Sequence, residues 1–425
     1  MDLYGELQWR EMLYDGTEGL RDALLSGPLT GYIGFDPTAP SLHVGSLLPV
    51  MALARFQQAG HSPIAIVGGG TGLIGDPSGK TQERSLISRE QVEANLDGIR
   101  AQLARFLDFD RGSNPARIVN NADWLSKIDL MSFLRDVGKH FTVNYMLAKE
   151  SVRRRIEGED GISFTEFSYL LLQAYDFVEL FDRYGCTLQM GGSDQWGNIT
   201  AGCDLIRKLR GARAHGLVLP LVTTSAGVKF GKTEVGTVWL DSKQTSPFRF
   251  YQFWLNTDDR DVVRYLKFFT FLSREEIEAL ARTVEGAPEQ RAAQRALARE
   301  VTRLLHGEDQ VRRAERAGTV LFSEDIADAE VDEVLMVFED APSSEVSLPE
   351  GGMALADMLT LVKLTSSKSE ATRLVKSGGV YVNNVRAKDE RRKLTSADAI
   401  RGELFILRKG RKDHHIVRLR RGAST

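Results

Sequence analysis

One group of residues with chemical potential follows a short apolar run near the N-terminus. Asp36 ends that run, and His43, Gly45 and Ser46 stand just before a helical pattern. A helix N-terminus offers backbone N–H groups and the positive end of the helix dipole, which suit phosphate. Gly45 would let a phosphate approach the backbone, and the His43 imidazole can donate to a phosphate oxygen. Taken alone, a His-x-Gly triplet favours an ordinary helix cap and turn.

A second group contains two lysines around a short polar stretch. Lys229, Lys232 and Thr233 occupy the segment Lys-Phe-Gly-Lys-Thr. Lysines placed on both sides of a glycine can neutralise a triphosphate as charge develops during group transfer. By itself this segment favours a solvated surface loop.

A third group lies in the glycine-rich segment 191–198. Gly192 permits close approach of a ligand to the backbone, and Asp194 and Gln195 could fix ribose or amine groups. The alternative is a strand-to-helix turn in which Asp or Ser caps the helix.

A fourth group lies on one face of a predicted helix. Tyr169, Gln173 and Asp176 have the spacing i, i+4 and i+7, so their side chains project together. A polar stripe in an apolar helix is costly to bury unless a partner satisfies it, and a small amphoteric ligand is one such partner. An ordinary polar stripe that faces solvent explains the same spacing equally well.

The elements that would position these groups form a β-α-β unit. Apolar runs at 31–35 and 64–67 predict strands, and helical periodicity covers 47–59 between them. Later runs at 188–190 and 217–219 predict further strands of the same parallel sheet. Ligands bind at the carboxyl ends of the strands in such sheets, where the first group lies.

The second half of the chain is mostly helical before a small terminal unit. Helical patterns at 248–255, 261–271 and 274–305 precede the segment 324–350, which has ten acidic residues and no basic ones. We predict an α/β fold with a Rossmann-like doubly wound parallel sheet, followed by a helical domain and a small α+β RNA-binding module. The predicted parts are a catalytic domain at 1–222 with a helical insertion at about 123–165, a signature loop and helical domain at 223–322, an acidic linker at 323–352 and an RNA-binding module at 353–419.

Charge and composition restrict the function. The formal net charge of the 425 residues is −3, but residues 366–421 hold 16 Lys or Arg and six Asp or Glu, which favours a nucleic-acid partner for that end. Two cysteines without a CxxC motif fit a reducing compartment, and seven scattered histidines give no zinc pattern. The acidic N-terminus and the lack of an 18-residue apolar stretch predict a soluble cytoplasmic protein. The histidine and cysteine pattern predicts no metal site.

Taken together and in order, the motifs resemble a known family. HVGS at 43–46, GGSDQWGN at 191–198 and KFGKT at 229–233 resemble class I aminoacyl-tRNA synthetases, specifically the bacterial-type tyrosyl-tRNA synthetases. Segments 32–38, 75–80 and 172–177 also resemble that family, and 365–383 resembles an RNA-binding module shared with a ribosomal protein.

The resemblance implies roles residue by residue. It implies a tyrosine pocket formed by Tyr32, Asp36, Asp76, Tyr169, Gln173, Asp176, Gln189 and Gln195. It implies ATP contacts from His43, Gly45, Ser46, Gly192, Asp194, Lys229 and Lys232, and catalytic roles for His43, Lys80, Arg84, Lys229, Lys232 and Thr233. It implies tRNA contacts from Arg207, Lys208, Lys368, Arg373, Arg408, Lys409, Arg411 and Lys412.

The implied activity is a tyrosine–tRNA ligase that acts in two steps on tyrosine, ATP and tRNA(Tyr). Mg²⁺ would arrive with ATP without a dedicated protein site. The family's first signature usually ends in His or Asn, and the shorter Ser46 stands there in this chain. The resemblance also implies a homodimer with the helical stretch near 123–157 at its interface.

Three other interpretations are weaker. A tryptophanyl-tRNA synthetase shares the fold, but it usually lacks the terminal module and would not need the Tyr32 and Asp176 pair. An RNA-binding regulator without catalysis would not need Lys229, Lys232, His43 and Asp194. A nucleotidylyltransferase acting on a small metabolite would leave the basic terminal unit without a purpose.

Overall fold

The computed structural model describes residues 2–78, 88–110, 112–158, 161–225, 227, 230–233, 236–320, 326, 329–410 and 413–420, with only the backbone at 232–233 and 319–320. The chain divides into two compact units. The first comprises Met1–Thr245 with Gln252–Leu305, and the second comprises Ser246–Tyr251 with His306–Thr425.

The first unit is built on a six-stranded sheet with the strand order β1-β6-β5-β2-β3-β4. Its strands are β1 (Asp15–Gly16), β2 (Thr30–Phe35), β3 (Ser62–Val67), β4 (Arg117–Asn120), β5 (Cys186–Gly192) and β6 (His215–Leu219). All neighbours pair in parallel except β1, which lies antiparallel on the edge beside β6. Two short strands, β7 (Lys232–Thr233) and β8 (Gly236–Thr237), form a separate hairpin. The predicted doubly wound α/β sheet is thereby confirmed, with its order reversing beside β2.

The helices of the first unit cover both faces of this sheet and extend beyond it. They are α1 (Leu3–Trp9), α2 (Leu20–Ser26), α3 (Leu47–Gln58), α4 (Arg89–Leu103), α5 (Ala122–Leu125), α6 (Leu130–Ser132), α7 (Val143–Leu147), α8 (Glu150–Ile156), α9 (Phe164–Tyr184), α10 (Trp196–Arg210), α11 (Pro247–Leu255), α12 (Asp259–Phe269), α13 (Arg274–Gly286) and α14 (Ala292–His306). The first five residues of α11 and the last residue of α14 belong to the second unit.

Helix α3 is buried on nearly all of its surface. Leu47, Val50, Met51 and Leu53 are at most 1% exposed, which explains why its sequence is apolar all round rather than amphipathic. Pro49 lies in the first turn, where its missing N–H has no intrahelical partner to lose. This helix begins directly after the first candidate group, so the packing of α3 fixes the place of that group.

Helix α9 carries the fourth group and has a strong start and stop. The Ser163 hydroxyl accepts from the Glu166 backbone N–H, and Gly185 ends the helix in the left-handed conformation. A buried ion pair between Glu166 and Arg155, 2.8 Å long, ties its first turn to α8. Helices α9 and α10 pack over the sheet around Phe177, Leu180 and Leu205.

The second unit contains a five-stranded sheet with the order β12-β11-β14-β15-β9. Its elements are α15 (Glu308–Val320), α16 (Val331–Val337), β9 (Ser343–Val346), β10 (Met353–Ala354), α17 (Leu355–Leu361), α18 (Lys368–Lys376), β11 (Val380–Val382), β12 (Val385–Arg386), β13 (Lys393–Leu394), β14 (Leu404–Lys409) and β15 (Asp413–Leu419). Helices α17 and α18 pack against one set of sheet residues, and α16 packs against another.

The acidic segment at 323–352 is predicted as a linker, but its described part belongs to the terminal unit. Strand β9 pairs in parallel with β15 and so belongs to the terminal sheet. Val334 and Phe338 of the α16 region pack with Ile406 and Ile416. The acidic residues hid an apolar face at helical spacing, because composition averages over both faces of an amphipathic helix.

The helical pattern predicted over 274–305 also differs from the structure. It contains α13 and α14, separated by a short 3-10 turn at Pro288–Gln290. Proline removes a backbone donor and disfavours helical geometry in the residue before it, so the helix ends at that place.

In the part of the chain that the structure describes, no helix is long and apolar enough to cross a membrane.

Candidate active site

A cavity of about 350 Å³ opens at the carboxyl ends of the central strands. The predicted residues that line it are Tyr32, Asp36, Gly45, Ser46, Asp76, Tyr169, Gln173, Asp176, Gln189, Gly192, Asp194 and Gln195. They come from β2, β5, α9 and the loops that follow the strands. The fold thus brings three of the four candidate groups to one place.

Asp176 is the most deeply held charged residue of the cavity. It is 3% exposed, and its two carboxylate oxygens accept from Trp124 Nε1 at 2.7 Å and Asn121 Nδ2 at 2.9 Å. Asn121 is fixed in turn because its side-chain oxygen accepts from the Gly70 backbone N–H at 2.7 Å. Two neutral donors hold this buried carboxylate, and no arginine or lysine of the described residues forms an ion pair with it.

The pKa of Asp176 shows which influence is strongest. The pKa is raised to about 7, chiefly by burial. The hydrogen bonds from Asn121 and Trp124 act in the opposite direction, and nearby Asp36 and Glu179 contribute smaller increases. The group therefore titrates near neutral pH instead of near 4. The protonation state of Asp176 can therefore change when a hydrogen-bonding ligand binds beside it.

This raised pKa predicts a stability that falls with increasing pH. A carboxyl group harder to ionise in the folded state stabilises that state most below its unfolded pKa of 3.8, and the advantage is lost as the pH rises to about 7. Between pH 5 and pH 8 the free energy of unfolding of the wild type should fall by about 2 to 3 kcal/mol more than that of Asp176→Asn. Urea unfolding of both proteins across this range measures the difference. Parallel pH profiles would contradict the assignment.

Tyr32 and Gln189 present buried polar atoms to the same cavity. Neither the Tyr32 hydroxyl nor Gln189 Oε1 has a hydrogen-bond partner among the described residues. The Tyr32 ring is held edge-on against Phe177 at 5.3 Å, and burial raises the pKa of its hydroxyl well above the ordinary value. A buried hydroxyl without a partner is costly, which points to a ligand that supplies one.

A second polar network lies around Asp76. Gln195 Nε2 donates to Asp76 at 2.7 Å, and Gln173 Nε2 donates to Gln195 Oε1 at 3.3 Å. Asn198 Nδ2 reaches both glutamine oxygens, at 3.0 and 3.1 Å. Carboxylate and amide oxygens concentrated here suit an ammonium group.

Tyr169 connects this region to the first strand. Its hydroxyl donates to Asp36 Oδ2 at 3.4 Å, and Thr71 Oγ1 donates to the other oxygen of Asp36 at 3.3 Å. Burial raises the pKa of Tyr169 well above its ordinary value, so this hydroxyl stays a donor.

The first signature folds back on itself at the start of α3. The Gly45 backbone N–H donates to His43 Nδ1 at 3.0 Å, which makes Nδ1 an acceptor and leaves the proton of a neutral ring on Nε2. A Cβ at Gly45 would lie 2.7 Å from the His43 ring, so the spacing His-x-Gly needs glycine. Ser46 makes no side-chain capping bond to α3 and lines the cavity.

Several predicted residues cannot be placed. Lys80, Arg84, Lys229, Arg411 and Lys412 lie outside the described residues. Lys232 and Thr233 form β7, and their side chains are not described.

The residues predicted to contact tRNA fall in both units. In the first, Arg207 pairs with Asp204 at 3.3 Å, and the Lys208 ammonium donates to the His140 carbonyl at 2.7 Å. Both lie near the end of α10. An ion pair between largely exposed partners contributes little to stability, so the Arg207 guanidinium can exchange Asp204 for a phosphate.

In the second unit the predicted basic residues differ in how they are held. Arg373 is exposed on α18, Lys368 pairs with Asp357 at 2.6 Å, and Lys409 pairs with Glu370 at 2.9 Å. The Arg408 guanidinium lies 3.8 Å from the centre of the Tyr381 ring. The ion pairs of Lys368 and Lys409 would have to exchange for RNA phosphates.

Sequence reasoning missed the residues that hold the predicted ones. Asn121 and Trp124 position Asp176, Thr71 holds Asp36, and Asn198 holds Gln173. Asn121 had a usable signal, because it lies two residues after a short apolar run at 118–119 that could have been interpreted as a strand.

Comparison with known proteins agrees with this architecture. The family model for tRNA synthetases class I (W and Y) matches residues 25–323, and the model for the tyrosine–tRNA ligase SYY-like C-terminal domain matches 333–417. The tyrosine–tRNA ligase of Roseiflexus castenholzii is 58% identical over 97% of this chain and 98% of its own length. That of Geobacillus kaustophilus is 56% identical over 98% of this chain and 100% of its own length.

Solved structures give the same result. A C-terminally truncated mitochondrial tyrosyl-tRNA synthetase from Aspergillus nidulans is 34% identical, with a TM-score of 0.68 over 76% of this chain and 94% of its own. A tryptophanyl-tRNA synthetase from Plasmodium falciparum, 12% identical with a TM-score of 0.52 over 78% of this chain and 87% of its own, shares the fold alone. Fold and site together define a class I aminoacyl-tRNA synthetase. Within that class, this chain belongs to the tyrosine–tRNA ligase family.

Proposed function

We propose that this chain is a tyrosine–tRNA ligase, which activates L-tyrosine with ATP and transfers it to the 3′ end of tRNA(Tyr). The observation that carries this proposal is the content of one cavity. It combines a buried carboxylate and an orphaned buried hydroxyl with the N-terminus of α3 and its His-x-Gly turn. The first pair suits a phenol, and the second suits a nucleotide phosphate.

The tyrosine subsite is assigned from its two polar regions. The substrate phenol donates to Asp176 and accepts from the Tyr32 hydroxyl, so both buried groups gain a partner. The α-ammonium lies among Asp76, Gln173 and Tyr169, with Asp36, Gln189 and Gln195 completing the pocket. These roles follow the donor and acceptor character of the side chains described above.

The ATP subsite lies against the start of α3. His43 Nε2 and the positive dipole end of α3 face the phosphates, with Gly45 leaving room for their approach, while Ser46, Gly192 and Asp194 contact the ribose and adenine side. Lys80, Arg84, Lys229 and Lys232 neutralise the pyrophosphate as it leaves, and the Thr233 hydroxyl can donate a hydrogen bond to it. Mg²⁺ bound to the ATP phosphates, without a dedicated protein site, would supply further positive charge to the leaving group.

The reaction needs no protein nucleophile. The tyrosine carboxylate attacks the α-phosphorus of ATP in line, pyrophosphate leaves, and a 3′-terminal ribose hydroxyl of tRNA then attacks the adenylate carbonyl. Catalysis is alignment of the reactants together with stabilisation of developing charge. The terminal unit holds the tRNA, with Lys368, Arg373, Arg408, Lys409, Arg411 and Lys412 facing its phosphates and Arg207 and Lys208 near the acceptor stem.

We propose the sequence-predicted division into catalytic domain, helical domain and RNA-binding module as a division of function, with α16 and β9 added to the terminal module because they pack and pair with its sheet. We place the protein in the cytoplasm, where its tRNA substrate is used.

ATP–pyrophosphate exchange without tRNA tests the proposal. Tyrosine, tryptophan and phenylalanine are offered separately, and exchange is expected with tyrosine alone. Exchange with tryptophan would move the assignment to the sister activity. No exchange with any of the three would contradict the activity itself.

The protein is proposed to work as a homodimer. Between 130 and 164 the first unit exposes a group of large apolar side chains, which are Leu130, Met131, Leu134, Val143, Leu147, Ile156 and Phe164. Met131 and Phe164 are 74% and 78% exposed, and such grouping marks an interaction surface. We assign this surface to contact with a second copy of the chain, because a two-fold interface pairs one such patch with the same patch of the partner.

Light scattering after size exclusion should give twice the chain mass of 47.3 kDa. A Met131→Asp, Phe164→Asp double variant should give the monomer, because each aspartate would have to be buried without a partner. Leu361→Asp changes an exposed leucine of the second unit and should remain dimeric. A monomeric wild type would disprove this interface.

A further inference from the structure

Phe230 lies between the two signature lysines, yet it is a core residue. Its side chain is only 5% exposed. The ring packs against four aromatic rings, Phe253 and Trp254 of α11 at 5.6 and 5.7 Å, and Tyr265 and Phe269 of α12 at 5.0 and 5.5 Å. It is stacked on Phe269 with 8° between the ring planes, and it meets Phe253 and Tyr265 edge-on. Aromatic groups packed in these geometries gain more than their buried area alone.

The next residue, Gly231, is held by the backbone. Its carbonyl accepts from the Val238 N–H at 3.1 Å, and the Val238 carbonyl accepts from the Val44 N–H at 3.0 Å. Gly231 has a φ of +82°, and a Cβ there would lie 2.7 Å from Val44 Cγ2. Val44 stands between His43 and Gly45, so the two signatures are joined through this contact.

Helix α12 holds the same segment at a second point. The Asp261 carboxylate accepts from the Ser225 backbone N–H and hydroxyl, each at 3.0 Å. Ser225 lies four residues before Lys229, the first residue of the signature. Phe230, the second residue of the signature, packs against the aromatic rings of α12. Ser225 before the signature and Phe230 within it therefore both contact α12.

From this arrangement we infer that Phe230 is a positioning residue for adenylate formation, acting as the fixed point that presents Lys229 and Lys232 to the ATP phosphates. The inference rests on the proposed function. Both lysines are bonded to the anchored Phe-Gly pair, so fewer backbone dihedrals remain to be ordered when the charge of the transition state develops. Methionine is unbranched and apolar and can fill an apolar pocket of this kind, so it should substitute for Phe230.

The test compares steady-state pyrophosphate exchange in Phe230→Ala, Phe230→Met and Phe268→Ala. Phe268 is fully buried on α12, with its ring 5.8 Å from that of Phe269. Phe268→Ala therefore removes the same aromatic volume as Phe230→Ala from a neighbouring position. Phe230→Ala should lower kcat/KM for ATP about 10- to 100-fold, the range that small misplacements of reacting groups produce. The KM for tyrosine should stay within about twofold, because the tyrosine pocket contains none of the altered contacts. Phe230→Met should recover the wild-type value within about threefold.

Thermal unfolding separates positioning from simple stability. Phe268→Ala should lower the melting temperature about as much as Phe230→Ala while keeping kcat/KM for ATP. If Phe230→Ala does not fold, Phe230→Leu removes less volume and carries the same expected split between ATP and tyrosine. Unchanged ATP kinetics in Phe230→Ala, or an equal loss in Phe268→Ala, would overturn the inference. Lack of exchange by the wild type with any amino acid would instead overturn the proposed function.

Discussion

Removal of the residues after Val320 is expected to lower tRNA charging severely while leaving tyrosine-dependent pyrophosphate exchange intact. The cavity is built wholly from residues before 223, whereas the basic residues of the terminal sheet and of α18 all follow the cut. Two binding surfaces on one tRNA raise affinity about 10²- to 10⁴-fold over either alone, so charging at limiting tRNA should fall by that order. Aminoacylation and exchange measured on the same preparation give both results.

The position of the cut matters because α16 and β9 belong to the terminal unit. A cut at 353 would leave β9 without β15 and expose Val334 and Phe338. The truncated mitochondrial relative from Aspergillus nidulans shows that a protein of this fold can be crystallised without its C-terminal part.

Salt provides a control for the truncation. Charging by the full chain should weaken steeply with rising salt, because phosphate contacts release counterions, and the truncated chain should show a shallower slope. Normal charging by the truncated chain would contradict the proposed role of the terminal unit.

The sheet and its site were accessible from sequence because both depend on local patterns. Apolar runs at 31–35 and 64–67 appear as β2 and β3, and the i, i+4, i+7 stripe on α9 does face one cavity. The exact bounds differ by one or two residues, as hydrogen bonding decides where an element ends.

What the sequence did not show depends on contacts between distant residues. Asn121 and Trp124 reach Asp176 across 55 and 52 positions, and no local period relates them. The apolar face of α16 was concealed by acidic neighbours, and β9 gains its place only by pairing with β15, some seventy residues later. The burial of Phe230 likewise depends on two helices that follow it in the chain.

The second large effect is expected at the phenol end of the cavity. Asp176→Asn keeps the side-chain shape but replaces a charged acceptor by an amide. Its NH₂ group would face one of the two donors, Asn121 or Trp124, which now bond the two carboxylate oxygens. Charge-assisted hydrogen bonds contribute about 1.5 to 3 kcal/mol, so the KM for tyrosine should rise about 10- to 150-fold. Phenylalanine, which makes no such bond, should lose little. Exchange assays with both amino acids measure the ratio.

Tyr32→Phe should separate affinity from stability. Its hydroxyl has no partner among the described residues, so its removal should leave the free enzyme equally stable or more stable. Tyrosine binding should nevertheless weaken about 10-fold, since the substrate hydroxyl loses a donor. Tyr175→Phe is the matched control, because that hydroxyl bonds Glu179 away from the cavity and should leave the KM for tyrosine unchanged.

The two substitutions together should reduce discrimination between tyrosine and phenylalanine by more than either single change, but by less than about 10²- to 10³-fold, which is the product of the single losses. A site whose buried polar groups require the substrate hydroxyl rejects an analogue without it because those groups stay unpaired, as is established for tyrosyl-tRNA synthetases as a class. If Tyr32 and Asp176 act on the same hydroxyl, the double variant should lose less than the product of the single losses. Multiplicative losses would mean that the two side chains contact different parts of the substrate, and unchanged discrimination would remove the phenol from this end of the cavity altogether.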